Sequence, residues 1–522
     1  MGYCCRIFTP VQPVYPAASV RDFLSGALSE HYAELAHHFT RGEEWSKTIH
    51  YSTLAGNQAS HSFSNREAED HYSRALEVAS RLPLAEPGLV ADLHAKRGAV
   101  LNTVGRHEEA IAEYERAREI ATSAKDDSRK CRALLGLVDV YYNAHRRQPV
   151  RDCADEALKL AREIGDTRLE ASCLASRILP VGSWEGPTQE VMEDAKEAVR
   201  LAQVVEDPRL LAAANVGLGG VLQWRAEFGS GLEHLRKGIE LAQSTHDGWA
   251  LGIGLFHMGH LRLSQGDYEE ALRVYGQMRD YAHSAEHRFF LARVPNLFGA
   301  VHLELYDLER ALTLNLEGEE AARRFNPWPE PLAHSLLKVG LVHLERGDYD
   351  LAEKFFLRAW DLLQSDELTR WRWHIPLLRA RGELALARGH HDEAWSFAGQ
   401  SLDLATRNIA RKHIGRAQRL QGEVLVATGK LQDAAGVLES SVTLVAELKA
   451  APDLWQCGLA LGKVLLKLGR EGEAEIQLNL AAGVVEAIAQ KLTTPSLRRS
   501  FLSAGPVLDV YALLHRPPPQ LG

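Results

Sequence analysis

Residues 259–278 read GHLRLSQGDYEEALRVYGQM, and this stretch decides the fold. Gly259 stands in a run whose apolar residues (Trp249, Leu251, Ile253, Leu255, Phe256, Met258, Leu261, Leu263) supply a broad face at helical spacing. Gly266-Asp267 then breaks the helix with turn chemistry. A second helix follows, with Tyr268, Ala271, Leu272, Tyr275 and Met278 turned inward. A glycine inside a helix costs about 1 kcal/mol relative to alanine. Its placement implies a steric reason, the close approach of two helices, with Ala271 as the expected small partner. The stretch predicts an antiparallel helix hairpin with a short turn.

The pattern recurs along the chain. Glycines stand at Gly219, Gly259, Gly299, Gly340, Gly382, Gly422 and Gly462, at intervals of 40, 40, 41, 42, 40 and 40 residues, with Gly98 as an earlier member. Twelve residues after the rungs come Ala110, Gly231, Ala271, Ala311, Ala352, Ala394, Ala434 and Ala474. A fixed period of this length marks a solenoid, in which each unit packs only on its neighbours. That suits 522 residues, which exceed the roughly 250–300 at which a single core stops growing.

Composition narrows the functional classes. The formal charge of −9 gives no electrostatic reason to expect nucleic acid. The 45 arginines against 15 lysines, with abundant alanine, point to a GC-rich bacterial genome. Six cysteines without a CxxC pair suggest neither a zinc knuckle nor a redox motif, and their sparseness points to a reducing cytoplasm. No apolar run reaches the ~20 residues of a membrane span. A signal peptide is not expected, and Arg6 stands where N-myristoylation wants Ser or Thr. The nearest approach to a P-loop, Gly458 to Lys463, has the wrong spacing and lacks the Ser/Thr. The histidine pairs His257/His260, His283/His287, His37/His38 and His390/His391 lack HExxH context or a cysteine partner. No cofactor, metal or catalytic residue is expected, and the chain reads as non-enzymatic.

A glycine, a turn glycine seven residues on, a small residue twelve on, an aromatic sixteen on and an alanine nineteen on resemble the tetratricopeptide repeat (TPR), over roughly residues 30–490. The unit is about six residues longer than the standard 34. Long units of this kind are similar to the TPR-like regions of bacterial signalling ATPases and of maltose-regulator-type activators. The stretch from Leu28 to Ala75 and the closing segment from Leu492 to Leu502 resemble the borders of the C-terminal TPR region in bacterial cyclase/AAA-ATPase signalling proteins. The resemblance implies an all-α, right-handed superhelical solenoid of about 11 units. The expected layout is a poorly ordered segment 1–28, a solenoid 29–490, and a capping segment with a Pro-rich tail 491–522.

Two rungs are missing, their places taken by Val138 and Leu179. The second of these units, LPVGSWEGP at 179–187, predicts a break in the helix and a bend or opening at 180–188, more readily a degenerate repeat than a ligand site. Trp328, in a Pro-rich loop, is expected either to touch a partner or to cover a seam between units.

The resemblance also implies that the first helix of each hairpin lines an inner, concave face. The positions one and four after the rung, and three and six before it, then supply the candidate partner groove: Arg132, Tyr142, His260, Arg293, Asn296, Arg379, Glu383, Arg416, Arg419 and Glu423. Arg379, Arg416 and Arg419 could clamp an acidic group, or could pair with Glu383 and Glu423 on the same face. The expected function is a protein- or peptide-binding scaffold or sensor region of a bacterial signalling system, with a cyclase or AAA-type ATPase module among its partners and no nucleic acid or membrane. An oligopeptide-pheromone-type receptor is the alternative, and an enzyme with a groove site is the alternative of another class.

Overall fold

The computed structural model describes residues 31–82, 86–325, 329–365 and 370–519; the segment 1–28 and Trp328 lie outside the described residues. The described residues are helices joined by short turns, with no strand among them. Eleven hairpins run from Trp45 to Lys491, followed by the short helices Pro495–Leu502 and Gly505–Leu513. None of the described helices is long and apolar enough to cross a membrane. Packing divides the chain into two units. One holds the described residues to Asn102 with Glu108–Ala133; the other holds Thr103–His107 and all from Leu134 onward.

In the first unit, the hairpin Trp45–His61/Asn65–Ser80 adds a rung that the glycine ladder alone does not announce. Gly56 stands 42 residues before Gly98, and a Cβ on it would fall 2.6 Å from the Tyr72 ring. Ala68, twelve residues after Gly56, is fully buried. The segment resembling the border of a TPR region is thus itself a repeat in the same register.

The rungs of the second unit show what the glycine is for. A Cβ on Gly259 would lie 2.1 Å from Tyr275, one on Gly340 2.5 Å from Phe356, one on Gly422 2.5 Å from Leu438, and one on Gly462 2.7 Å from Leu478. Each of these is the residue sixteen places on, from the facing helix. The residue twelve on, expected as the small partner, contributes mainly backbone: the Ala352 carbonyl lies 3.3 Å from the position of a Gly340 Cβ. A ring or leucine therefore seats directly against the first helix, as close-packed interiors require. At the missing rungs the sizes are exchanged. Val138 and Leu179 stand on the first helices, and sixteen residues on are the small, buried Ala154 and Ala195.

Seven residues after the rung the backbone turns left-handed in every hairpin. At Gly266 (φ 72°) this is the low-cost solution for ending a helix, and Asp267 N–H closes the turn on the Arg262 carbonyl at 3.0 Å. Tyr306 adopts the same conformation (φ 57°) without that freedom, at a cost of roughly 1–2 kcal/mol.

The helix Thr167–Glu185 runs straight through Pro180, where the sequence predicts a break. Packing outweighs propensity here: Pro180, Val181 and Gly182 are buried, and a Cβ on Gly182 would strike Trp224 at 2.6 Å. The irregularity is confined to residues 186–188, where Gly186 turns at φ 85° and Thr188 caps the next helix through Val191 N–H. Pro187 has no N–H to offer the Ser183 carbonyl. The Trp371 indole N–H takes its place at 3.0 Å.

That last bond joins residues 188 apart, and others like it close the second unit on itself. Glu269 accepts from Thr493 and Thr494 backbone N–H at 2.6 and 2.8 Å, Lys412 Nζ donates to Ser264 Oγ at 3.0 Å, and the Tyr268 and Phe501 rings lie 6.1 Å apart. Inner faces of hairpins far apart in sequence therefore look across at one another.

Candidate functional site

Two adjoining cavities of the second unit collect the charged inner-face residues. The larger, a cleft of about 890 Å³, is lined mainly by the first helices Val294–Glu304, Pro329–Arg346, Arg370–Ala387, Arg411–Ala427 and Ala451–Lys467, with Gly505–Leu513 at one side. Leu303, Leu341, Leu344 and Leu459 give it an apolar floor. Arg379, Glu383, Arg416, Arg419 and Glu423, all anticipated from the register, line it together.

These charges are matched. Arg379 bonds Glu383; Arg419 bonds Glu423 at 2.9 Å and Glu383 at 3.3 Å; Arg416 bonds the buried Asp453 and approaches Glu304 at 3.7 Å. The two bonds Arg379–Glu383 and Arg419–Glu423 are the i,i+4 geometry of one helix face. Burial raises the Glu423 carboxyl despite Arg419 beside it, and burial raises Glu345, helped by Glu383. Lys463, at the rim, bonds Asp509 at 2.6 Å.

The smaller chamber, about 120 Å³, shares Glu304, Lys338, Leu341, Arg379 and Arg416 with the cleft. Its own walls carry His260, His334, Arg372, Lys412 and His413, with Trp224, Trp371 and Trp373. Arg372 lies over the Phe256 and Trp373 rings, 5.1 and 5.2 Å from their centroids, and its Nη2 is 3.3 Å from His260 Nε2. His260 Nδ1 lies 2.9 Å from the Phe256 carbonyl and 3.1 Å from Tyr275 Oη, so the ring that fills the Gly259 rung also positions this wall. His334 stacks on Trp373 at 4.2 Å.

Electrostatically the chamber is basic. Burial lowers Lys338 and Lys412 to about 8 each, and neighbouring Arg416 adds to the effect on Lys412. Burial, reinforced by Arg372, Lys338 or Lys412, holds His260, His334 and His413 far below the usual imidazole range, so all three are neutral. Burial alone would raise Glu304, but Arg416, Lys338, Lys412 and Arg379 together hold it below the usual carboxylate range.

The remaining anticipated residues lie outside both cavities. Arg293 is buried, donates to Glu330 and to the Phe289 carbonyl at 2.7 Å, and stacks on the Phe289 ring at 3.7 Å. Asn296 donates to the Pro331 carbonyl at 3.0 Å and accepts from Ser335 Oγ at 2.7 Å, in space left open by Gly318. Tyr142 Oη is 3.0 Å from Ser183 Oγ, with the Trp184 ring edge-on. Arg132 is exposed on Asp127–Asn143, in the part of that helix assigned to the first unit. The chamber cations Lys338, Arg372 and Lys412 escaped the register search. Arg372 and Lys412 stand ten residues before Gly382 and Gly422, and Lys338 two before Gly340. Counting in steps of four from the sixth position before the rung, along the same helix face, reaches all three. Among the described residues no group of three or more His, Cys, Asp or Glu side chains is placed to hold a metal ion.

Comparison with known proteins agrees with the repeat geometry. Residues 89–163 match the sequence model of the tetratricopeptide repeat. The HTH-type transcriptional regulator MalT of Vibrio cholerae is 24% identical over 338 residues, which is 62% of this chain; the chain spans about a third (35%) of that relative's length. Among solved structures, a Rap protein complexed with competence and sporulation factor aligns at 13% identity and a TM-score of 0.49, covering 73% of this chain and 99% of that one. The APC/C hetero-tetramer Cut9–Hcn1 aligns at 13% identity and 0.46, covering 93% and 91%. The structural likenesses are of fold alone. Mid-helix glycines pressed against a side chain of a neighbouring helix recur from Gly56 to Gly462, and the tetratricopeptide-repeat match at residues 89–163 lies within that run, so the repeat geometry and the family match agree.

Proposed function

We propose that the repeats form a protein-binding module whose cleft holds a short segment of a partner polypeptide, with no catalysis of its own. The observation that carries this reading is the cleft itself: about 890 Å³, an apolar floor, and a rim of charges already matched within the chain. That volume is near the upper end for small-ligand pockets, so a peptide segment fills it and a folded domain does not. Matched rim charges give register and specificity more than affinity, while the leucine floor supplies apolar burial. A free oligopeptide would satisfy the same geometry, which keeps a peptide-receptor role as the second form of this reading.

The MalT relative is a transcriptional regulator, and most of its length lies outside the match. By that analogy the repeats act as the sensing or scaffolding part of a bacterial regulatory system, joined to or recruited by a module such as a cyclase or AAA-type ATPase. Selection of displayed peptides against the intact chain tests the cleft. Ala387 lines it and is exposed, so Ala387→Trp narrows the cleft without touching the core. Selected peptides should lose at least about tenfold in affinity for that variant, about 1.4 kcal/mol. Unchanged binding would place the peptide site elsewhere and refute the reading.

A further inference from the structure

The small chamber differs from the cleft in one respect that the fold does not require. Five cations line it, Lys338, Arg372, Arg379, Lys412 and Arg416, against the single carboxylate of Glu304. Glu383 and Asp453 engage Arg379 and Arg416. Two positive charges are left over. No carboxylate of the described residues lies within ion-pair distance of Lys338, Arg372 or Lys412, whose close polar contacts are neutral: His260 for Arg372 and Ser264 for Lys412. Donor capacity is also unspent, since Arg379 Nε is buried without a hydrogen-bond partner and its residue is only 9% exposed.

Charges brought together in a confined, partly desolvated space repel one another, and burying them unpaired is costly. Chains avoid this arrangement unless something neutralises it. The cations come from three first helices, Pro329–Arg346, Arg370–Ala387 and Arg411–Ala427, while His260 and Ser264 belong to a fourth, Gly248–Ser264, that reaches the chamber across the turn. They therefore surround the space, as a compact oxyanion with acceptors on several sides would need. A monovalent carboxylate would cancel half of the surplus; a phosphate group carries about −1.5 to −2 near neutral pH.

We propose that this chamber is a phosphate site, held by Lys338, Arg372 and Lys412 and taking either the free ion or the terminal phosphate of a small phosphomonoester. Arg372 is held in place by the Phe256 and Trp373 rings, so its planar donors are oriented before the anion arrives. His260 spends its one ring N–H on the Phe256 carbonyl and accepts from Arg372, while the neutral His334 and His413 can each donate through one ring nitrogen. The inference is independent of what fills the cleft: a protein that binds no peptide would still have this chamber.

The test is titration calorimetry and thermal unfolding of the full chain with inorganic phosphate, ionic strength being held constant with sodium chloride. Saturable binding and an upward shift in Tm are expected with phosphate and not with chloride alone. Lys338→Gln with Lys412→Gln should weaken phosphate binding by at least about tenfold while circular dichroism stays that of the parent. Lys412→Gln alone, a milder change, should weaken it in the same direction. Lys463→Gln with Lys467→Gln, at the cleft, should leave it unchanged. Phenyl phosphate binding more tightly than phosphate would assign the site to a phosphomonoester, and the reverse order to the free ion; either order, with the chamber variants impaired, supports the site. Phosphate acting no differently from chloride, or binding the chamber variants as well as the parent, would overturn the proposal.

Discussion

The cleft and the chamber share helices, share five lining residues, and differ in how their charge is closed. In the cleft each arginine has its carboxylate, much of it one helical turn away on the same helix: Arg379 with Glu383, Arg419 with Glu423. In the chamber, two turns before Arg379, Arg419 and Glu345 on the same helices, the corresponding column holds Arg372, Lys412 and Lys338, with Glu304 the single carboxylate lining the space. Matched charge is what a solenoid needs to keep its inner face soluble and in register. Unmatched charge in an enclosed space has no such use, and it is the part of the inner face that points outside the protein for its partner.

If that contrast is right, the largest effect comes from unmatching the cleft side. Asp453 is 2% exposed and depends on Arg416. Arg416→Met should cost about 3–5 kcal/mol in urea denaturation by leaving a buried carboxylate uncompensated, and Arg416→Met with Asp453→Leu should recover most of it. A loss under 1 kcal/mol for the single variant would show that the pairing is not structural.

A smaller effect is expected at the rung beneath the chamber. Gly259→Ala forces the Tyr275 ring to move and loosens its bond to His260. It should cost about 1–3 kcal/mol and weaken phosphate binding, whereas Gly340→Ala under the cleft should cost as much and leave phosphate binding alone. Equal phosphate binding by both variants would break the distinction between the two cavities.

On the chamber side, removing charge should help the free protein. Lys338 and Lys412 have folded pKa values lowered by burial to about 8, below the ordinary 10.4. Between those values the unfolded chain binds more protons, so their burden on stability is full below pH 8 and fades as pH rises toward 10.4. Each Lys→Gln variant should therefore gain on the order of 1 kcal/mol below pH 8, after allowance for solvent screening, and lose the gain by pH 10. Thermal melts across that range decide it; a gain that grows with pH would have the wrong sign. The least effect belongs to the rim: Lys463→Ala, breaking a pair about half exposed on both sides, should change stability by less than about 1 kcal/mol.

The sequence was most legible where size had to alternate. The glycine ladder predicts helix hairpins because a mid-helix glycine is costly without a neighbour pressed against it, and the structure presses a ring, a leucine or, at Gly299, an asparagine there. Its partner was misplaced by one turn, twelve residues on instead of sixteen, because small residues catch the eye and the large one in contact does not. Gly56 and the exchanged pairs Val138/Ala154 and Leu179/Ala195 were hidden for the same reason: the rule is complementarity of size, of which the glycine is one half. The cleft arginines and glutamates were legible because they fall at fixed offsets from the rungs. Arg293 and Asn296 fall at the same offsets but are consumed by local bonds to Glu330, Pro331 and Ser335. Of the chamber, His260, Arg379 and Arg416 were on the register, but the enclosure was not legible, since it forms only when the solenoid closes on itself and brings His260 and Ser264 against Arg372 and Lys412, 112 and 148 residues away.

Crystals of the intact chain soaked in tungstate, a heavy analogue of phosphate, test the central contrast in one experiment. The account predicts an anomalous peak in the chamber, bounded by Lys338, Arg372 and Lys412, and none among the paired arginines of the cleft. A peak at Arg419 and Lys463 in the cleft, or a chamber left empty, would contradict it.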